Sequence, residues 1–377
     1  MNTIHETEVV VVGAGAVGCS IAYHLATRGK AVTLVDKEGP GAGTSTANFG
    51  LVWVSVKEPY PYMELSLASS QLWPKLVAEL GEDVELRQGG GLKLCLTEAD
   101  YQKHAAIVER QRHSPLFEGR MISAQEAREL QPGVSEAIAG ALWSPHDGDC
   151  DPVKWTYALA RGCQRVGVTF MAQTEVTGFD LDEESRQVTG VFTNRGRLAT
   201  QCAVNAAGPW AAQVAEMVGV TLGLFPQRGQ ILITEPGPIV CPRPMSTVRQ
   251  NARGQFYMGT TAEDVGFDWS TTAAGARKIA ANAVKLVPAT AQLSVLRQFA
   301  GLRPMPRDGL PFLGPVPHVP GYYIAVGHSG ITLSPIHGKI ISDLIVDGQT
   351  DVPLDLYNPL RYDPHGTTEP GPERTAH

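Results

Sequence analysis

Glycines 13, 15 and 18 stand in the order G-x-G-x-x-G directly after four valines, in VVVVGAGAVG. Each glycine has its own task in a turn that holds a pyrophosphate. Gly13 makes the turn tight, Gly15 lets phosphates approach the main chain, and Gly18 lets the following helix lie close to the strand. Ala14, Ala16 and Val17 complete the loop. The free N–H groups and positive dipole end of that helix favour an anion in front of them. Asp36 follows Gly18 by 18 residues, near the spacing at which a carboxylate accepts hydrogen bonds from a ribose diol, and an acid there disfavours a 2′-phosphate. NAD and FAD share an ADP half, so the turn alone leaves both open.

These residues need a frame, and the neighbouring sequence supplies one. An apolar strand from about Glu8 to Val12, a helix from about Ala16 to Arg28 closed by Gly29, and a strand AVTLV ending at Asp36 make a β-α-β unit. The 377 residues suggest two domains, at roughly 150 residues per domain. Apolar residues make up 43% and charged residues 18%, which is ordinary globular composition without a disordered tract. A net charge of −7 works against nucleic acid as a partner, since a polyanion selects a basic face. The six cysteines show no C-x-x-C spacing and read as reduced, mostly buried thiols. His146 and Asp147 in SPHDGDCDP lack further ligands in register, so no metal is expected. Without a signal-like start or an apolar run of about 18 residues, a cytoplasmic protein without a membrane span is expected, with peripheral attachment to the inner membrane left open.

Along the chain, PYMELSLASSQLWPKLVAEL repeats Leu65, Leu72, Leu76 and Leu80 at helical spacing, a core stripe. Strands are expected from about Gly89 to Leu96 and from Gly140 to Ser144, hairpins across VTGFDLDEESRQVTGVFTNRGRLATQ, and antiparallel strands between Gln227 and Thr261. Asp308-Gly309 reads as a turn, and Arg228 as half of an interdomain ion pair. Ser334 and Pro335 read as N-cap and first residue of a last helix ending near Asp347.

Four segments carry a resemblance. GAGTSTANFG (41–50), VNAAGPWA (204–211), GLRPMPRDGLPFLG (301–314) and VGHSGITLSPIHGKIISDLI (326–345) resemble, in order, those of the D-amino-acid oxidase, glycine oxidase and sarcosine oxidase family of FAD enzymes. GLVWV and GHSGITLSP are most similar to the branch of opine oxidase and D-hydroxyproline dehydrogenase β subunits. The resemblance implies a Rossmann-like FAD-binding domain of the D-amino-acid oxidase type (1–50, 147–223, 300–360). Interleaved with it would be an α+β antiparallel-sheet substrate domain (51–146, 224–299), with a disordered tail over 361–377. It implies non-covalent FAD, since no cysteine follows Cys241. Thr44 and Ser45 would meet the pyrophosphate, and Val176 the adenine. Asn48, Phe49 and Gly50 would lie beside the flavin ring, and Gly208 would let the chain pass close. Lys37, Gly43, Ala207 and Trp210 would border the cofactor, and Gly327, His328, Ser329, Gly330, Ile331 and Thr332 would close over its flavin half.

The implied reaction is oxidation of the C–N bond of an amino acid or secondary amine by hydride transfer to flavin N5, with no certain catalytic side chain. Binding and aim then dominate. Arg303, in G-x-R-P, matches the family's carboxylate-binding position, and the planar fork of arginine suits that task. Tyr257 could add a hydroxyl and His328 could touch substrate or cofactor, against the plainer readings of a packed strand residue and a loop-holding histidine. GHSG lacks the second arginine of glycine oxidases, and no lysine lies between Asn251 and Ala276, which tilts the acceptor away from oxygen. Other readings are a 2-hydroxy-acid or polyol-phosphate dehydrogenase on the same fold, an NAD-dependent dehydrogenase, and one component of a hetero-oligomer that needs partner chains.

Overall fold

The computed structural model describes residues 3–364. The four valines form β2 (Val9–Val12), all buried: Val9 and Val11 enter one core, Val10 and Val12 another. A strand with both faces covered has no polar side, which explains the unbroken apolar run. Its neighbours are β3 (Val32–Val35), β9 (Thr169–Met171), β13 (Ala203–Asn205), β18 (Phe312–Pro315) and β19 (Tyr322–Val326). The order is β18-β19-β13-β2-β3-β9, parallel except for β18 against β19.

The helices are α1 (Ala16–Thr27), α2 (Tyr60–Leu80), α3 (Glu98–Gln111), α4 (Ala124–Leu130), α5 (Pro152–Arg165), α6 (Ala211–Glu216), α7 (Ala273–Leu286) and α8 (Gly330–Val346). One core lies between the sheet and α1, α2, α5 and α8. Helices α1 and α8 touch at Gly338, where a Cβ would lie 2.5 Å from both His24 Nδ1 and Ser20 Oγ. On the other face lies a sheet of β1 (Thr3–Glu6), β12 (Gly196–Ala199), β11 (Val188–Thr193) and β10 (Val176–Leu181), in that order. The first strand, which sequence reading omitted, extends the hairpins by pairing parallel to β12.

The two larger of the remaining sheets form the second body of structure, and the shortest, a two-stranded pair, lies against the first core. β14 (Leu224–Pro236), β15 (Val248–Gln250), β16 (Gln255–Gly259) and β17 (Val295–Pro306) pair antiparallel in the order β15-β16-β14-β17. A three-stranded sheet orders β5 (Gly91–Cys95), β7 (Gly140–Ser144) and β6 (Arg120–Ser123), and β4 (Leu51–Val52) pairs with β8 (Gly148–Asp149). A third core joins the two larger of these sheets with α7.

Three expectations need correction. Helix α8 starts at Gly330 with Ser329 as its cap, five residues before Pro335. Pro335 has no N–H for the Ile331 carbonyl, and the Ser334 hydroxyl donates to that carbonyl instead, at 2.9 Å. One turn on, the Ser69 hydroxyl donates to Thr332 O at 2.6 Å and accepts the Ile336 N–H at 3.3 Å, bridging the interrupted ladder. Ser334 and Pro335 therefore sit inside the helix. Secondly, the tail does not begin at 361: Arg361 is buried and its guanidinium binds Asp308 at 2.6 and 3.0 Å, while 365–377 lie outside the described residues. Thirdly, Arg228 pairs with Glu263 and, at 2.7 Å, with Asp268, both on the loop after its own sheet's β16, so the pair does not join the two bodies of structure.

Candidate functional site

The glycine turn behaves as its spacing requires. Gly13 adopts φ 104° and a Cβ there would lie 2.5 Å from Ala206 O, while a Cβ on Gly18 would lie 1.9 Å from Gly13 O. Gly15 faces the Ser45 hydroxyl, which accepts the Ala16 N–H at 2.9 Å. Asp36 takes the N–H groups of Ala14, Glu38 and Gly39 at 2.8, 2.8 and 2.9 Å. A carboxylate offers about four acceptor positions, so one remains for a sugar hydroxyl.

A cavity of about 510 Å³ runs from this turn into the second body of structure. Gly13, Gly15, Val17, Asp36 and Lys37 line its first part with Val176, Ala207, Gly208 and Trp210. Ala14, Ala16 and Gly18 are buried beneath it and do not line it. The Lys37 ammonium lies 3.5 Å above the Trp210 ring, which stacks on Phe267 at 5.6 Å. Gly43, Thr44, Ser45, Asn48, Phe49 and Gly50 form another wall. That wall is built by side chains bonding main chain: the Thr44 hydroxyl donates to Leu302 O, and the Asn48 amide donates to Thr44 O at 3.1 Å and accepts the Gly50 N–H at 2.7 Å.

Residues 327–332 border the cavity at the start of α8, whose first N–H groups have no intrahelical partner. Ser329 holds φ 67°, a left-handed conformation that costs a non-glycine residue about 1–3 kcal/mol. Its hydroxyl is fixed by His328 Nδ1 at 3.0 Å and by the Lys57 ammonium. Thr332 anchors the helix to β4, donating to Leu51 O and accepting the Trp53 N–H, both at 3.0 Å.

Arg303 lies on β17 opposite Gln227 and lines the same cavity. Its guanidinium rests against the Cα of Gly229, where an added Cβ would be 2.3 Å from Nη2, and its one hydrogen bond among the described residues runs to Arg228 O at 3.5 Å. Burial pulls its pKa down and Glu263 opposes this at longer range, with no ion pair formed. The structure thus brings Arg303 and His328 to the cavity but not Tyr257. Tyr257, paired with Ile233, shares the sheet face of Ile231 and Arg303, but its ring lies on Arg249, 4.4 Å from its Cζ and outside the cavity lining, and Arg249 in turn binds the buried Asp149 at 3.0 Å.

Sequence reading missed several lining residues: Trp53 and Lys57 after β4, Lys93 on β5, Gly229 on β14, and Ser246. The loop carrying Trp53 and Lys57 is held by Asp147, which accepts the N–H groups of Val54 and Ser55 at 2.7 and 2.9 Å and the Ser55 hydroxyl. Burial pushes the Asp147 carboxyl up to about 7 against those hydrogen bonds and Lys57. Lys57 and Lys93 reach the cavity from segments outside 251–276, so the missing lysine there says nothing about the electron acceptor.

A glycine turn at one place in a long cavity and a second helix N-terminus at another define a dinucleotide-binding oxidoreductase site. The comparisons sharpen that class. The family model of the FAD dependent oxidoreductases (DAO) matches residues 8–344, and the chain belongs to this family. It is 30% identical to the glycine oxidase of Geobacillus kaustophilus (95% of this chain, 98% of that protein) and 29% identical to a subunit of the opine oxidase of Rhizobium meliloti (96% and 99%). Among solved structures, L-proline dehydrogenase from P. horikoshii superposes with a TM-score of 0.87 at 28% identity, covering 95% of this chain and 98% of that one. FAD is therefore the cofactor, and the NAD reading is set aside.

Proposed function

We propose that this chain oxidises the C–N bond of an amino acid or secondary amine bearing a carboxylate, with FAD held non-covalently along the cavity. The observation that carries this reading is Arg303: a half-buried guanidinium lining the cavity with no acidic partner among the described residues, which a substrate carboxylate completes with two charge-assisted hydrogen bonds. Gly13 and Gly15 admit the pyrophosphate, Asp36 takes the ribose, Ser45 and Thr44 flank the phosphates, and Val176 meets the adenine. Among the described residues no cysteine lines the cavity, which supports retention without a thioether.

Bound FAD supplies a hydride acceptor at N5, and the amine leaves as an imine that hydrolyses. The first N–H groups of α8, the helix dipole, and Lys57 on Ser329 would favour negative charge on a flavin bound in front of them. Arg303 fixes the carboxylate and thereby the direction of the α-hydrogen. Kinship with one component of a multi-chain opine oxidase supports a requirement for further chains. Among the described residues no helix is long and apolar enough to cross a membrane.

Anaerobic mixing of the yellow protein with D-amino acids, N-alkyl amino acids, hydroxyprolines and opines tests the reading. Bleaching by one of these classes is expected; bleaching only by 2-hydroxy acids or polyol phosphates would replace it.

A further inference from the structure

The cavity wall contains a second set of unpaired polar groups that the proposed carboxylate contact does not use. Leu92 and Met245 form a parallel bridge, with the Leu92 N–H on Pro244 O at 3.0 Å and the Ser246 N–H on Leu92 O at 3.2 Å. Both bridged side chains enter the third core. Alternation then turns the next residues, Lys93 and Ser246, to the opposite face, and both line the cavity. Gly91 shares the parity of Lys93. Its missing side chain leaves room for the Trp53 ring, whose Cη2 lies 2.9 Å from where a Cβ would be.

None of these groups is satisfied among the described residues. Lys93 makes no hydrogen bond or ion pair among the described residues, Ser246 Oγ is buried without a partner, and so is Trp53 Nε1. Burial draws the Lys93 pKa below its ordinary value, with only longer-range opposition from Cys95 and Asp100. The acids lining the cavity are Asp36, Glu38 and Glu175, all on the nucleotide-binding body. Donors left unpaired in a folded interior cost stability and point to a ligand that supplies acceptors.

We propose that the substrate is a dicarboxylic amine, its reacting-end carboxylate on Arg303 and a second carboxylate on the Lys93 ammonium and Ser246 hydroxyl, with Trp53 on the same wall. This rests on the amine-oxidation reading and narrows it. A monocarboxylate leaves the half-buried Lys93 without a partner among the described residues, so the wall selects for the second anion rather than merely tolerating it.

Two matched series test it: N-(carboxyalkyl) amino acids, and N-alkyl amino acids of the same length ending in methyl. The dicarboxylates are expected to exceed the monocarboxylates in kcat/KM by at least about tenfold, through KM. Lys93→Met collapses that ratio, Ser246→Ala reduces it, and Lys93→Arg retains most of it. Melting temperature and flavin content of each variant show that it folds and loads. Equal kcat/KM for the two series in the unaltered protein, or an undiminished ratio in Lys93→Met, overturns the second site alone. Failure of both series to bleach the protein overturns the amine reading together with it.

Discussion

Gly229 was invisible as a functional residue, yet its missing side chain decides where Arg303 sits. An alanine Cβ would lie 2.3 Å from Nη2, 2.6 Å from Cζ and 2.7 Å from Nη1 of Arg303, whereas ordinary contact begins at 3.4 Å. The guanidinium must therefore retreat by about 1.1 Å, and a misplacement of about 1 Å in a positioning contact lowers the rate on the order of 100-fold, or about 2.7 kcal/mol. The backbone is not an obstacle, since Gly229 is outside the left-handed region. Gly229→Ala should thus fold, keep its flavin, and lose about 10²-fold in kcat/KM for carboxylate-bearing amines. The same amines without the carboxylate should show little change, because Arg303 has nothing to hold on them. Steady-state kinetics on both, with the visible absorbance ratio as loading control, make the assay. Wild-type kcat/KM on the carboxylate substrates would refute the placement of Arg303.

Two further changes probe other parts of the account. Gly15→Val puts a branched side chain where a Cβ alone would be 2.9 Å from Ser45 Oγ; the purified protein should lack flavin absorbance, and normal flavin content would remove the glycine turn from the binding site. Asp147, raised from 3.8 to about 7 chiefly by burial, keeps its proton in the folded state where the unfolded chain loses it. Its stabilising contribution is full below 3.8 and is lost as pH rises to about 7, by at most about 4 kcal/mol at 1.36 kcal/mol per pH unit. Asp147→Asn carries N–H where the protonated acid carries O–H, so the stability advantage of the native protein over this variant should shrink between pH 4 and 8 in denaturant titrations; parallel curves would contradict the assignment.

The parts of the site legible in the sequence were those written in consecutive residues. Gly13, Gly15, Gly18 and Asp36 lie within one β-α-β unit, and local spacing determines their geometry. The start of α8 was misread because Ser334 and Pro335 carry a local capping signal. Ser69, 265 residues earlier in the chain than Ser334, and the Ser334 hydroxyl supply the hydrogen bonds that let the helix pass through them. Tyr257 was placed by residue type; it shares the sheet face of Arg303, but residue type does not say how far along the strand the cavity extends, and its ring ends on Arg249 outside the lining. Lys93 and Ser246 meet only because a bridge joins two distant segments, a relation that no window along the chain contains.

The most direct test of the central claim is the reductive half-reaction of Arg303→Met beside the native protein, each loaded with FAD and mixed anaerobically with a reacting amino acid and with its decarboxylated amine. The native protein should bleach fast with the amino acid, and the variant should need on the order of 100-fold more of it or react correspondingly slower, while both respond alike to the plain amine. Equal bleaching of the two proteins by the amino acid would contradict the claim that this cavity oxidises amines held by their carboxylate on Arg303.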